Sequence, residues 1–417
     1  MNTLDGKLVQ RHYALTSAVP TAFERELLGE INWDSAMVAV VGPRGVGKTT
    51  LLGQRLKNLA LPPTEALYVD LGDLYFKANR LIDFAETFVE QGGKYLFIDE
   101  IHRYGFATWA EELKMIYDFY RSRLRVVFSG SSVLKLLNQS ADLSRRVHHY
   151  YLQGLSFREY LILREGVEPP LLQLEDVLNR HGELTHLVIM EQKIEPLPHF
   201  TQYLRRGYYG FFIDDELGYY DLVNQIVQLV LSDDVPHATE MRAANVDKLS
   251  RLLQAVATSA PFKPNIAKLA ERTGLSRNTL IEYLTLLERA SLTINLRSDA
   301  KGIAALAKPD KVYLDNPNLI YALSPDRAHI GTVRETFFLN QLNYLQRRKL
   351  AFAPTIGLPP KGDFSYRFRD TNYLFEIGGP NKTAVQIGTQ PGHFTVVDAK
   401  ITTAPHRIPL WLFGLLY

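Results

Sequence analysis

Apolar residues gather in five short runs over the N-terminal third of the chain. Between them the apolar spacing changes to the three-to-four-residue period of helices. The runs are Ala36–Val41, Glu65–Leu71 (EALYVDL), Lys94–Ile101 (KYLFIDEI), Arg125–Ser132 (RVVFSGSS) and Val147–Leu152. They are too short for helices, and most are apolar throughout rather than alternating, the pattern of strands buried on both faces. Thr50–Asn58, Leu81–Gln91 and Thr108–Tyr120 read as the intervening helices. Strand and helix in alternation predict an α/β fold with a parallel sheet. Ahead of it, Met1–Trp33 reads as a polar lead-in and one amphipathic helix with Phe23, Leu27, Leu28 and Ile31 on one face, suited to packing or to covering a nucleotide base.

From Phe157 to about Ser259 the period is helical, over Leu171–Arg180, Phe200–Arg206, Asp221–Leu231 and Val246–Ala257. Proline-rich breaks at Glu168–Pro170 and Glu195–Pro198 punctuate it. This stretch reads as a helical lid, with Tyr208, Tyr209, Phe211 and Phe212 as lid core rather than a base-stacking platform. Next, Asn265–Arg272 reads as a helix ended by Thr273-Gly274, and Ser276 as the N-cap of a second helix, Arg277–Arg289. Ile266, Leu269, Ala270, Leu275, Leu280, Leu284 and Leu287 fall where two helices pack across a tight glycine turn. Leu292–Leu296 follows as a strand, which completes a winged-helix pattern. Beyond it, Lys311–Leu314 reads as a strand, Thr332–Arg347 as a helix, Asn372–Ile377 and Thr395–Asp398 as strands, and Pro409–Tyr417 as a closing apolar run. The expected division is 1–154, a P-loop ATPase core; 155–258, the lid; 259–300, the winged helix-turn-helix; and 301–417, a further α/β domain.

The chemistry concentrates after the first strand. Gly42-Pro43-Arg44-Gly45-Val46-Gly47-Lys48-Thr49 is a complete G-x-x-x-x-G-K-[ST] phosphate loop, with a strand before it and a helix beginning at Thr50 behind it. The glycines let successive N–H groups curl into an anion nest, and the following helix adds its positive end. Lys48 reaches the β- and γ-phosphates, and the Thr49 hydroxyl and Asp99 serve Mg²⁺. Asp99 and Glu100 close the third strand, where Glu100 would orient and deprotonate the attacking water. In ATPases with a strand between the loop and the acidic pair, a polar residue on that strand senses the γ-phosphate. Ser129 and Ser131 are both candidates, and a plain strand-to-helix turn fits either. Arg145 and Arg146 precede the fifth strand; such an arginine can reach a γ-phosphate, often a neighbouring subunit's, or lie as a surface pair. ATP and Mg²⁺ are the ligands this set implies.

Net charge is only +2, so the overall balance neither demands nor excludes nucleic acid. There are no cysteines, which excludes disulfides, thiolate metal sites and cysteine nucleophiles. No apolar run is long enough to cross a bilayer, and Met1–Gln10 lacks the layout of a secretory signal. The expectation is a cytoplasmic protein without membrane contact.

GPRGVGKTT, LFIDEIHRY, VVFSGSS and above all Leu143–Tyr160 (LSRRVHHYYLQGLSFREY) resemble a prokaryotic AAA+-type ATPase family that joins this core to a C-terminal domain of uncharacterised function. That family has a glycine before its arginine, so Arg146 matches the family arginine and Arg145 departs from the pattern. His199–Phe212 (HFTQYLRRGYYGFF) is similar to a further family segment, with Tyr208 in place of the second glycine. The resemblance implies ATP hydrolysis and assembly as a homo-oligomer such as a hexamer.

In the last domain, Glu335 on a helix, Asp363 at a strand start and Glu376 within a strand are similar to the Mg²⁺ ligands of a PD-(D/E)xK nuclease, which makes 301–417 an expected restriction-nuclease-like α/β domain of degenerate motif, with Asp363 and Glu376 as a tentative second metal site. The lysine of that motif is Gly378 here and Lys382 is the nearest replacement, so cleavage is not expected. DNA is the expected partner, duplex or branched, contacted through Arg277, Asn278 and Thr279 at the exposed end of the second winged-helix helix. Glu282 and Glu288 on that helix would repel phosphates. The leading expectation is an ATPase that couples turnover to DNA binding or remodelling. The alternatives are an ATP-driven signalling switch with protein partners and, less favoured, an ATP-gated nuclease.

Overall fold

The computed structural model describes residues 5–104, 108–130, 143, 145–239, 241, 243–298, 308–348, 356–368 and 371–417. They fall into two compact units: Met1–Gln153 with Ser232–Met241, and Gly154–Leu231 with Arg242–Tyr417.

In the first unit the five apolar runs become β1 (Met37–Val41), β2 (Ala66–Asp70), β3 (Tyr95–Asp99), β4 (Arg125–Gly130) and β5 (His148–Tyr151). Every pairing is parallel, in the order β2-β3-β4-β1-β5. β4 therefore lies between the phosphate-loop strand β1 and the acidic strand β3. β1 is buried along its whole length, and most of β3 and β4 as well, which accounts for their unbroken apolar sequence. The expected α/β fold with a P-loop parallel sheet is the observed one.

The N-terminal segment differs from expectation. It holds two helices, α1 (Gly6–Ala18) and α2 (Glu26–Glu30), rather than one. Val19 precedes Pro20, whose ring disfavours helical backbone at the residue before it, and Val19 is extended. Only Leu8 and His12 of α1 are buried, so α1 carries no apolar stripe to detect. Further on, α3 (Lys48–Leu59) follows the phosphate loop, α4 (Tyr75–Ala78) and α5 (Leu81–Glu90) follow β2, and α6 (Trp109–Tyr120) follows β3.

The second unit begins with α7 (Phe157–Glu165), which opens on a capping box between Ser156 and Glu159. Then come α8 (Leu174–His186), α9 (Pro196–Arg206) and α10 (Tyr219–Leu229). Tyr208, Tyr209 and Phe212 are buried, as expected of core. These helices share a core with the C-terminal residues. Phe200 and Tyr203 pack in ring contact with Phe337, Phe157 packs on Phe200 and Tyr203, and Leu172 N–H donates to the carbonyl of Leu415 (2.8 Å). After α11 (Val235–Thr239), which belongs to the first unit, come α12 (Ala243–Ala257), α13 (Ile266–Thr273) and α14 (Arg277–Arg289).

α13 ends at Gly274 in the left-handed conformation, and α14 starts on Ser276, whose hydroxyl accepts from Thr279 N–H. β6 (Thr293–Leu296) and β7 (Lys311–Leu314) then pair antiparallel. α15 (Pro317–Leu323) and α16 (Ile330–Arg348) lead to a second five-stranded sheet: β8 (Ile356–Gly357), β9 (Phe364–Phe368), β10 (Thr371–Gly378), β11 (His393–Val397) and β12 (Arg407–Pro409). Its order follows the sequence, antiparallel from β8 to β10 and parallel from β10 to β12. The closing apolar run is a buried 3-10 turn, Leu410–Leu415, behind β12.

Candidate active site: a phosphate loop facing an acidic strand

The loop between β1 and α3 needs glycine at two points for different reasons. Gly47 sits at φ +94°, where an L side chain is strained, and directly caps α3. At Gly42 a Cβ would lie 1.9 Å from the carbonyl oxygen of Leu152, the residue after β5, so the loop passes where no side chain fits. Buried Arg25 braces the loop from behind: its guanidinium donates to the carbonyls of Val46 (3.0 Å) and Gln153 (2.7 Å). Nothing in the spacing around Arg25 marks it for this task.

Lys48 is buried and curls back along its own loop, with Nζ donating to the carbonyls of Gly42 (3.0 Å) and Pro43 (2.6 Å). Burial pushes its ammonium below the ordinary lysine range, while the carboxylates of Glu100, Asp99 and Asp234 pull it back up in part. Thr49 and Asp99 meet directly, the hydroxyl donating to Oδ2 (2.6 Å).

Asp99, at the end of β3 and 2% exposed, collects four donors. Besides Thr49, the Tyr68 hydroxyl donates to Oδ2 (3.0 Å), and the Ser129 hydroxyl and the Glu100 N–H (3.0 Å) donate to Oδ1. Burial and the neighbouring Asp99 charge raise the Tyr68 hydroxyl well above its ordinary value, so it stays a donor. Ser129, of the two serines considered, thus lies on the acidic strand's carboxylate. Ser131 lies outside the described residues.

Glu100 stands at φ +53° in the left-handed region, a costly conformation for a side-chain-bearing residue. Its carboxyl is raised above the ordinary range, chiefly by burial, with His102 opposing and Asp99 adding to the rise. A carboxylate shifted in that direction is a stronger proton acceptor.

Arg146 makes a two-pronged ion pair with Asp118 of α6 (3.0 and 3.2 Å) and lies over the Tyr117 ring. Arg44 is held by Asp234 (2.7 Å), and Thr50 continues the first turn of α3. The Thr49 hydroxyl and the Asp99 carboxylate, side by side at the loop, are the oxygen donors a magnesium ion favours, so these two residues fit the cation that accompanies ATP.

The second candidate set is arranged differently. The structure places Asp363 at the turn before β9, where Oδ2 accepts from Ile377 N–H (2.7 Å), and Glu376 buried within β10. Lys382 Nζ reaches Glu376 Oε1 (2.5 Å), and its stem fills the space in front of Gly378, where a Cβ would be 2.6 Å away. Glu335 accepts from the Tyr313 hydroxyl (2.6 Å). All three carboxylates are already engaged with protein donors. Among the described residues no group of three or more His, Asp or Glu side chains is placed to hold a metal ion.

Fold and loop together are those of a P-loop domain built on a parallel sheet. The family model described as "AAA domain" matches residues 34–161, and a domain of unknown function (DUF8612) matches residues 197–329. Among curated proteins, an uncharacterized protein of Methanocaldococcus jannaschii, MJ1637, is 28% identical over 277 residues, 62% of this chain. The chain spans 56% of that relative's length. Among solved structures, RuvB of Thermotoga maritima aligns at 16% identity and TM-score 0.29, over 70% of this chain and 89% of its own. The Hsp104–ADP complex of S. cerevisiae aligns at 19% identity and TM-score 0.29, over 68% of this chain and 42% of its own.

The backbone approach at Gly42 can be tested. Gly42→Ala forces the loop off Leu152 at a cost of about 2–3 kcal/mol. Thermal unfolding should show the midpoint lowered by several degrees, together with weaker nucleotide binding. An unchanged midpoint and affinity would mean that the loop does not need this approach.

Proposed function

We propose that this protein hydrolyses ATP at the Lys48–Thr49–Asp99–Glu100 site and couples the cycle to binding or remodelling DNA. The observation that carries the hydrolytic part is the direct bond from the Thr49 hydroxyl to Asp99, with Glu100 the next residue. In this reading the loop amides and Lys48 bind the β- and γ-phosphates. On ATP binding, the Lys48 ammonium leaves the Gly42 and Pro43 carbonyls for the phosphates, exchanging neutral acceptors for charged ones. Thr49 and Asp99 would hold the magnesium ion, which would supply charge neutralisation. Glu100 orients a water and takes its proton, and Ser129 holds the Asp99 carboxylate in register. Arg146, now paired with Asp118, is the arginine that would reach a γ-phosphate, within its own subunit or across a boundary in a homo-oligomer.

The DNA part rests on α13, α14 and the β6–β7 pair, read as a winged helix. Arg277 and Asn278 are exposed at the start of α14, and Lys263 and Lys268 are exposed nearby in sequence. Thr279 is half-buried and its hydroxyl lies against Ser276 (2.8 Å), which makes it a capping residue more than a reader of bases. Glu288 is less of an obstacle than its charge suggests. It accepts from the N–H (3.0 Å) and the side-chain amide (3.1 Å) of Asn295, so it is tied to β6. A metal-dependent cleavage step is not part of this reading, because the carboxylate oxygens of Glu335, Asp363 and Glu376 accept from protein groups.

Glu100→Gln should bind ATP with near-parent affinity but turn over about 10²–10⁴ times more slowly in a phosphate-release assay. Equal turnover in the two proteins would remove Glu100 as the base. For DNA, affinity measured by fluorescence anisotropy should fall steeply with salt. Arg277→Ala should weaken it and lower the log–log salt slope by about 1. No binding to duplex or branched DNA at low salt would favour a switch that works on protein partners.

A further inference from the structure

The ten residues Ser232–Met241 cluster with the ATPase unit although the residues on either side of them belong to the other unit. They bring Asp233 and Asp234 to the phosphate loop. Asp234 Oδ1 accepts from Arg44 (2.7 Å) and lies 3.4 Å from His102 Nε2. The same ring nitrogen lies 3.2 Å from Glu100 Oε2. His102 and Asp234 are each 2% exposed. Asp233 continues the set at the rim, on Arg103 (3.1 Å) and Arg44 (3.6 Å), and Arg103 also approaches Glu100 (3.7 Å). Asp234 Oδ2 is a buried oxygen without a hydrogen-bond partner among the described residues, whereas Glu100 Oε2 is met by His102 and Arg103 at ion-pair distance only.

Such an arrangement is expensive for stability alone. A third carboxylate beside Asp99 and Glu100 concentrates negative charge at the place where phosphate oxygens must enter. Asp234 also lies close enough to Lys48 to influence its charge. A group that opposes nucleotide entry and yet contacts both the loop and the turn carrying the base fits a role in the reaction better than one in holding the fold.

We propose that Asp234 is a positioning residue for hydrolysis: through His102 it fixes the Glu100 carboxylate, and through Arg44 it fixes the phosphate loop. The inference rests on Glu100 being the hydrolytic base. His102 follows Glu100 by two residues in a 3-10 turn, Ile101–Arg103, so the ring sets where the carboxylate can point. Asp234 sets the ring. Loss of Asp234 leaves the base and every phosphate ligand present but lets the carboxylate wander, and misplacement by about 1 Å can cost on the order of 10²-fold in rate.

The test is a split between turnover and affinity. Asp234→Asn keeps the side chain's shape and removes a charge that repels phosphates. It should bind a non-hydrolysable ATP analogue at least as tightly as the parent in calorimetry, while kcat falls about 10- to 100-fold. A merely structural contact would lower both together, and that result overturns the proposal, as does an unchanged kcat. A second pair of variants checks the relay. His102→Gln places an amide nitrogen near the ring nitrogen's position and should retain most of the turnover, whereas His102→Ala should lose it as Asp234→Asn does. Equal turnover in the two contradicts the relay through His102. Absence of ATP turnover in the parent overturns the ATPase reading itself, a different result from a parent that turns over and an Asp234→Asn that matches it.

Discussion

The Asp99 carboxylate is the constraint on which the rest of the site depends. A buried carboxylate left without donors is costly enough to shift its own ionisation or unfold its surroundings. Here it is satisfied from every side: by Thr49 of α3, Tyr68 of β2, Ser129 of β4 and the N–H of Glu100. Each donor comes from a different element, so the charge can be buried only when β2, β3, β4 and the phosphate loop are in register. One carboxylate thereby sets the spacing between the anion nest and the acid that follows it. The parallel sheet supplies the frame, with β4 inserted between β1 and β3 so that Ser129 and Asp99 are neighbours.

Around that centre the site is rich in charge and kept in balance. Lys48 is buried and occupied by its own loop's carbonyls, and burial works against its ammonium. A triphosphate entering the nest offers this lysine a stronger partner than two neutral oxygens. Glu100 is held in a strained backbone conformation and pushed toward proton acceptance by burial. Strain and burial at Glu100, beside a neighbour Asp99 whose carboxylate is fully supplied with donors, give two adjacent acids different surroundings.

The core was legible because its signals are local. Apolar runs without alternation announce strands buried on both faces, and the phosphate loop with its glycines is contiguous. The acidic pair ends a strand, where side chains meet the loop. The helix-turn-helix elements were legible for the same reason: Gly274 and Ser276 are adjacent stop and start signals. What escaped reading is long-range. Arg25 braces the loop through carbonyls, which leave no trace in side-chain pattern. α1 has little apolar surface. Asp234 reaches Arg44 across 190 residues of chain, and Asp233-Asp234 looks like any solvated acidic pair until the burial of Asp234 is seen. Glu288 reads as a repelling charge on a recognition helix until its partner Asn295 is visible. Short strands such as β8 and β12 are set by sheet pairing and not by their own few residues.

The central claim is that the loop around Lys48 grips a triphosphate. Isothermal titration of the purified protein with magnesium-ATP tests it most directly, beside Lys48→Ala. The account predicts saturable binding in the parent and a loss of at least about a hundredfold in the variant, since a buried charged contact to phosphate is removed. A parent that releases no binding heat at any temperature tried, or a Lys48→Ala protein that binds as tightly as the parent, would contradict it.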